Sequence, residues 1–255
     1  MNNNVNKKQS IGVFDSGVGG LNVLSNLVEA FPNENFIYVG DNLNVPYGVK
    51  TKQQLEEIIS KVFRYFEKQD VKAIIVACNT ASVASEDLKC SVPVFRIIEP
   101  TAKRAKAVSN NIGVLATNFT IESKGYDKYL EGYMKGIKAS AFVPIVEKNI
   151  IKEEESQKVI KDILLPYKNY IDSIILGCTH FSLLEEDIIN VLGDVKIIDS
   201  SKSFNEVIKS YLDENDLNYN DNKERFVQIN FTKEDKINIG WFKHQYQGIN
   251  FIDLD

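Results

Sequence analysis

The chain is poor in the residues that hold metals and cross-links. Its 255 residues include only two histidines and three cysteines. His180 and His244 stand far apart, which leaves little material for a zinc site. Cys78, Cys90 and Cys178 are odd in number, widely spread and without a C-x-x-C pair, which argues against a disulfide framework. Positive charge is not in excess: 30 Lys and Arg against 35 Asp and Glu give a net charge of −5. A protein that tracks phosphates would carry a basic field instead, so nucleic acid is not an expected partner. No apolar run approaches the roughly 20 residues of a membrane span. The leader MNNNVNKKQS has no apolar signal core. A cytoplasmic protein is therefore expected, with no membrane partner. Linkers rich in Pro, Gly or Ser are missing as well. What remains is 44% hydrophobic and 25% charged, enough to bury a core without disulfides or metals. The length allows one large domain or two small ones.

The apolar runs are short, rich in Ile and Val, and separated by stretches of helical period. SIGVF (10–14), NFIYV (35–39), KAIIV (72–76), PVFRI (93–97), NIGVL (111–115), SIILG (173–177) and VKIID (195–199) read as buried strands. The stretch after Thr51 carries a capping-box pattern, Thr51 with Gln54. Leu55, Ile58, Ile59, Val62, Phe63 and Phe66 then follow at helical spacing. A second such start is expected at Ser203, with Glu206 three residues on. Near-continuous apolar strands alternating with helices predict an α/β fold with mainly parallel sheets. The tail is polar from Asn218 to Arg225, and RFVQI (225–229) and INFID (249–253) predict that it packs rather than dangles.

Two motifs occur twice. IGVFDSGVGG at Ile11 is echoed by IGVLATNFTI at Ile112, and AIIVACNTAS at Ala73 by SIILGCTHFS at Ser173, at offsets of 101 and 100 residues. The period is too long for a solenoid. It predicts two similar doubly wound domains, residues 1–99 plus 205–255 and residues 100–204, with the active site in the cleft between them.

Cys78 and Cys178 each follow a buried strand and precede a helix start, where ligands of parallel sheets gather. A helix N-terminus is expected to lower each thiol's pKa. Taken singly, either cysteine can be a small buried hydrophobe; the echo directs both toward one cleft. One thiolate can remove a proton from a tetrahedral carbon while a thiol on the opposite face returns one, inverting the centre. Cys90, in DLKCSVP, has no echo and is the spare.

Asp15-Ser16-Gly17-Val18-Gly19-Gly20 follows the first strand. Its glycines are expected to present N–H groups to a small carboxylate; it is neither a dinucleotide fingerprint nor a P-loop. Asp15 can accept from an ammonium group or assist Cys78. His180 can support Cys178, and Glu147, after FVPIV, can pair with an ammonium. Asn79, Thr80, Thr117, Thr120 and Thr179 fall at strand ends, where they can hold a polar substrate. Gly40-Asp41 and Pro46-Tyr47-Gly48 form a loop suited to lining a site.

DSGVGG, VPYG, ACNTAS, IEP and LGCTH, in this order and spacing, resemble the glutamate racemase family of bacterial cell-wall synthesis. The resemblance runs from about Ile11 to Ser200. It implies a homodimeric, cofactor-independent, metal-free racemase interconverting L- and D-glutamate for peptidoglycan, with the C-terminal segment returning to the first domain. It also implies that Cys78 and Cys178 are the acid/base pair, Cys78 acting on D-glutamate and Cys178 on L-glutamate. Asp15, Glu147 and His180 are then assisting residues. Asp15, Ser16, Tyr47, Gly48, Asn79, Thr80, Thr179 and His180 match substrate-binding positions. The short leader implies no regulatory extension of the family type. The sequence departs from the family at Asn42-Leu43-Asn44, where threonine-alanine-arginine is usual. It departs again at Phe181-Ser182 for tyrosine-proline, at Arg96 for glycine, and at Ala139-Ser140-Ala141, where a cysteine is usual. None of these removes a catalytic residue. An aspartate racemase and a non-catalytic carboxylate-binding protein remain as alternatives.

Overall fold

Each apolar run read as a strand forms one, within two residues of its expected limits. The structure is a computed structural model that describes residues 6–219, 225–235, 237, 239–240 and 242–254. The first half of the leader, and residues 220–224 of the polar stretch before Arg225, lie outside the described residues.

Two units divide the chain, Met1–Ile97 with Ser201–Asp255, and Ile98–Ser200. The first unit opens with β1 (Ile11–Asp15), α1 (Leu21–Ala30), β2 (Phe36–Gly40), α2 (Lys52–Lys68), β3 (Ala73–Val76), α3 (Asn79–Ala84) and β4 (Val94–Arg96). The second contains α4 (Ile98–Lys106), β5 (Ile112–Ala116), α5 (Asn118–Glu122), α6 (Asp127–Leu130), β6 (Met134–Lys138), α7 (Phe142–Glu147), α8 (Glu154–Leu164), β7 (Ser173–Gly177), α9 (Glu185–Leu192) and β8 (Lys196–Asp199). The chain then returns to the first unit as α10 (Asn205–Glu214), β9 (Val227–Phe231) and β10 (Ile249–Phe251).

The first sheet has the order β10-β9-β2-β1-β3-β4 and the second β6-β5-β7-β8, and every neighbouring pair is parallel. The echo in the sequence becomes an echo in register. Ile11 pairs with Ala73 in one sheet, and Ile112 with Ser173 in the other. The order β2-β1-β3-β4 thus recurs as β6-β5-β7-β8.

Helices cover both faces of each sheet, so the central strands are buried throughout. In the first unit α1 and α10 pack Leu24, Leu27, Ile208 and Leu212 against Ile11, Val13 and Tyr38. On the opposite face α2 lays Phe66 over Gly12, where a Cβ would come within 2.7 Å of the ring. Burying such a ring contributes roughly 1.5–3 kcal/mol. In the second unit α7, α8 and α9 pack against Leu115, Ile174 and Leu176, and α4 lies against β7 and β8.

At α2 both halves of the capping box form: the Thr51 side chain accepts from the Gln54 N–H, and the Gln54 side chain accepts from the Thr51 N–H. The second expected helix start differs. α10 begins after Phe204, whose side chain lies in the core and cannot cap. Strand β6 was not expected from the sequence. It is an edge strand whose only buried residue is Ile137, so it leaves no apolar run to read. Among the described residues no helix is long and apolar enough to cross a membrane.

A buried ion pair lies at the N-terminal end of β3. The Lys72 ammonium, fully buried, donates to Glu34 and to the carbonyls of Lys7 and Leu217. Glu34 also accepts the Tyr219 N–H. The returning segment is thereby fastened to the start of the first sheet.

Candidate active site

In the first unit the sequence-predicted residues gather at the C-terminal ends of the adjacent strands β1 and β3. Asp15 ends β1 and is fully buried, and its Oδ2 accepts the Gly17 N–H at 3.0 Å. Ser16, Cys78, Asn79 and Thr80 are buried beside these strand ends. The Tyr38 hydroxyl donates to the Gly17 carbonyl at 2.5 Å. Gly20 permits this packing, since a Cβ there would stand 2.3 Å from the Asp15 Cβ and 2.9 Å from the Tyr38 hydroxyl. The loop spends part of its donor set internally. Besides the Gly17 N–H, those of Leu21 and Asn22 go to Val18 and Gly19 carbonyls. Those three groups are engaged within the loop and the start of α1.

Cys78 caps α3, and its Sγ accepts the Ala81 N–H at 3.4 Å. The expected lowering of its pKa does not follow. Burial and then the charge of Asp15 push the thiol up to about 12, outweighing the hydrogen bonds from Ala81, Ser16 and Thr80. A capping N–H stabilises a thiolate only modestly, whereas loss of hydration penalises the charged form directly. In the resting protein Cys78 is a neutral thiol.

Tyr47 opens a short 3-10 turn, Tyr47–Val49, that includes Gly48. Its ring is buried against Phe14 and its hydroxyl donates to Asp41 at 2.6 Å. Burial, and next the Asp41 charge, hold that hydroxyl protonated far into alkali.

In the second unit Cys178 follows β7, and its Sγ lies 3.7 Å from His180 Nδ1. His180 Nε2 lies 3.6 Å from Glu147 Oε1 at the end of α7. The second unit thus brings His180 close to both Cys178 and Glu147. Burial lowers the His180 pKa to about 4 and raises that of Glu147, so the imidazole is neutral at pH 7. Thr179 is buried next to Cys178. Thr117 and Thr120, at the end of β5, act locally on each other. Thr117 caps α5 by accepting the Thr120 N–H, and the two hydroxyls are 3.0 Å apart.

Tyr126, near Cys178, and its partner Thr101 were not expected. Tyr126 is buried, and its hydroxyl is held protonated by burial, with Thr101 as hydrogen-bond partner and Cys178 as a nearby charge. Thr101 directly follows IEP, which offered a hint; Tyr126 lies in a stretch with no pattern. Cys90 is half-buried, and its S–H donates to Glu67 at 3.4 Å. The same carboxylate oxygen takes the Ser91 N–H and hydroxyl.

The sequence profile described as Asp/Glu/hydantoin racemase matches residues 11–204. A glutamate racemase of Aquifex aeolicus is 39% identical over 210 residues, covering 79% of this chain and 83% of that one. The crystal structure of a Bacillus anthracis glutamate racemase superposes with a TM-score of 0.89 at 32% identity, over 97% of this chain and 98% of the other. A Francisella tularensis glutamate racemase in complex with D-glutamate gives 0.87 at 30% identity, over 98% and 99%.

Proposed function

The chain belongs to the Asp/Glu/hydantoin racemase family, and from that premise we propose that it interconverts L-glutamate and D-glutamate with two cysteines and no cofactor. One observation carries the reading: a buried thiol stands just past the second strand of each matched strand pair, Cys78 after β3 and Cys178 after β7. Inversion at Cα needs a base on one face and an acid on the other. The two-base reading requires both thiols to reach one Cα.

In the L-to-D direction Cys178, as thiolate, takes the Cα proton, and Cys78, as thiol, gives a proton to the opposite face. The reverse reaction exchanges the roles. The raised pKa of Cys78 suits the donor of the first direction. For the reverse, the α-ammonium of a bound amino acid offsets the charge of Asp15 and so eases ionisation of the thiol. His180, neutral beside Cys178, can support the thiol by orienting it through its ring nitrogen. Ser16, Tyr47, Gly48, Asn79, Thr80, Thr117, Thr120 and Thr179 are the substrate-holding set. Buried hydroxyls and amides stabilise carbanionic charge more strongly than water does. The D-glutamate serves peptidoglycan synthesis, and the protein acts in the cytoplasm as a homodimer.

Incubation with L-glutamate in D₂O tests this. Racemisation with deuterium at Cα is the expected outcome, unchanged by added pyridoxal phosphate or metal. Exchange on aspartate but not glutamate would move the protein to the aspartate racemases, and exchange on neither would leave a carboxylate-binding protein. Cys78→Ala and Cys178→Ala should each cut racemisation by about 100-fold or more. Full activity in either variant would sink the two-base assignment.

A further inference from the structure

Asp41, just past β2, is fully buried, and its carboxylate collects donors from distant parts of the first unit. The Tyr47 hydroxyl reaches Oδ2 at 2.6 Å, and the Asn44 amide reaches both oxygens at 3.0 and 2.9 Å. The Thr232 hydroxyl, one residue past β9 in the returning segment, reaches Oδ1 at 2.6 Å. The Asp41 N–H donates to the carbonyl of Asp15 at 3.0 Å. The same stretch of the returning segment holds the loop by its backbone. Asn42 donates to the Lys233 carbonyl and accepts the Lys233 N–H, both at 2.9 Å, while the Leu43 N–H donates to the Thr232 hydroxyl at 3.1 Å. Asn42 and Asn44 are two of the positions at which this sequence departs from the family pattern. The Asn42 amide ties the loop to Lys233, 191 positions away, and the Asn44 amide braces the Asp41 carboxylate from within the loop.

Resting on the glutamate racemase reading, we propose that Asp41 is a positioning residue for substrate binding, anchoring Tyr47, and with it Gly48, to a fixed point built by Thr232 of the returning segment. The chemistry asks for a carboxylate here. Both oxygens must accept, because hydroxyls approach each of them; an amide satisfies one side and turns an N–H toward the donor on the other. Hydrogen bonds to a buried charge are among the stronger ones, so releasing the Tyr47 hydroxyl frees a ring that is otherwise held in one place. Tyr47, its proton committed to Asp41, presents only lone pairs elsewhere. Asp41 thus acts through Tyr47, and its charge is consumed within the loop.

The test is a double-mutant cycle on Asp41→Asn and Tyr47→Phe, with initial rates measured in both directions. Because L- and D-glutamate are equally stable, kcat/KM must fall equally in the two directions, which checks the data internally. Each single change should raise KM about tenfold for both enantiomers, with kcat much less affected. The double variant should be no worse than the poorer single. Losses that multiply, or a KM unmoved by Asp41→Asn, would overturn the proposal. Thr232→Val guards against a misfolded Asp41 variant. It removes one hydroxyl and should raise KM in the same sense, but have no effect in the Tyr47→Phe background. An equal effect in both backgrounds would overturn it too. A wild-type protein inactive on both enantiomers is a different failure, that of the racemase reading itself.

Discussion

At the scale of single residues, position in a motif and ionisation state come apart at Cys78. Its place at a helix start argues for an easily formed thiolate, yet loss of hydration and the nearby Asp15 carboxylate win. With a pKa of about 12 in place of 9.0, the substrate-free protein holds about a thousandfold less Cys78 thiolate at neutral pH than an ordinary thiol would. Alkylation by iodoacetamide, mapped by mass spectrometry, should therefore be slow at Cys78 at pH 7–8 and still rising beyond pH 10. A plateau near pH 9 would contradict the raised pKa. Asp15, Cys78 and Cys178 could be singled out from the sequence because each ends a strand motif, and a strand end is a local signal. Asp41 carried only a turn signal, because what defines it are a tyrosine six residues on and a threonine 191 residues on. Tyr126 carries no sequence signal for the same reason: its relations to Cys178 and to Thr101 exist only after folding.

At the scale of elements, legibility follows burial and caps. α2 announces itself twice, by the Thr51–Gln54 box and by an apolar stripe that ends in Phe66 against Gly12. Thr51→Ala removes the acceptor for the Gln54 N–H and should cost about 1 kcal/mol, read as a lower urea midpoint at unchanged slope. Restored stability in Thr51→Ser would assign the loss to the cap. β6 shows the converse. An edge strand with a single buried residue has no need of an apolar run, so its sequence, MKGIK, is nearly silent. α10 starts one residue later than the Ser203–Glu206 pattern predicts, because the capping position is taken by a core phenylalanine.

At the scale of the whole molecule, the matched offsets of 101 and 100 residues correspond to a repeated strand order with the same register at β1–β3 and β5–β7. The second repeat is continuous in the chain and the first is not. Its sheet is completed by β9 and β10, and the buried Lys72–Glu34 pair helps hold that return, through Leu217 and Tyr219. Lys72→Met leaves Glu34 buried without its cation and should destabilise the protein by about 3–5 kcal/mol, whereas Lys72→Met with Glu34→Leu should regain most of that. Denaturant midpoints of the two variants decide the matter; equal midpoints would show that the pair is not coupled.

The interrupted first unit also sets an order in time. During synthesis on the ribosome, β1 to β4 emerge first but lack Phe204, Ile208, Leu212, Val227 and Ile229, the side chains that close their core. The second unit emerges with every one of its strands in hand. The part made second is the part able to fold first. The nascent first sheet waits through more than a hundred residues of elongation with an open edge at β2, the edge β9 later fills, and an open strand edge is a template for pairing with other chains.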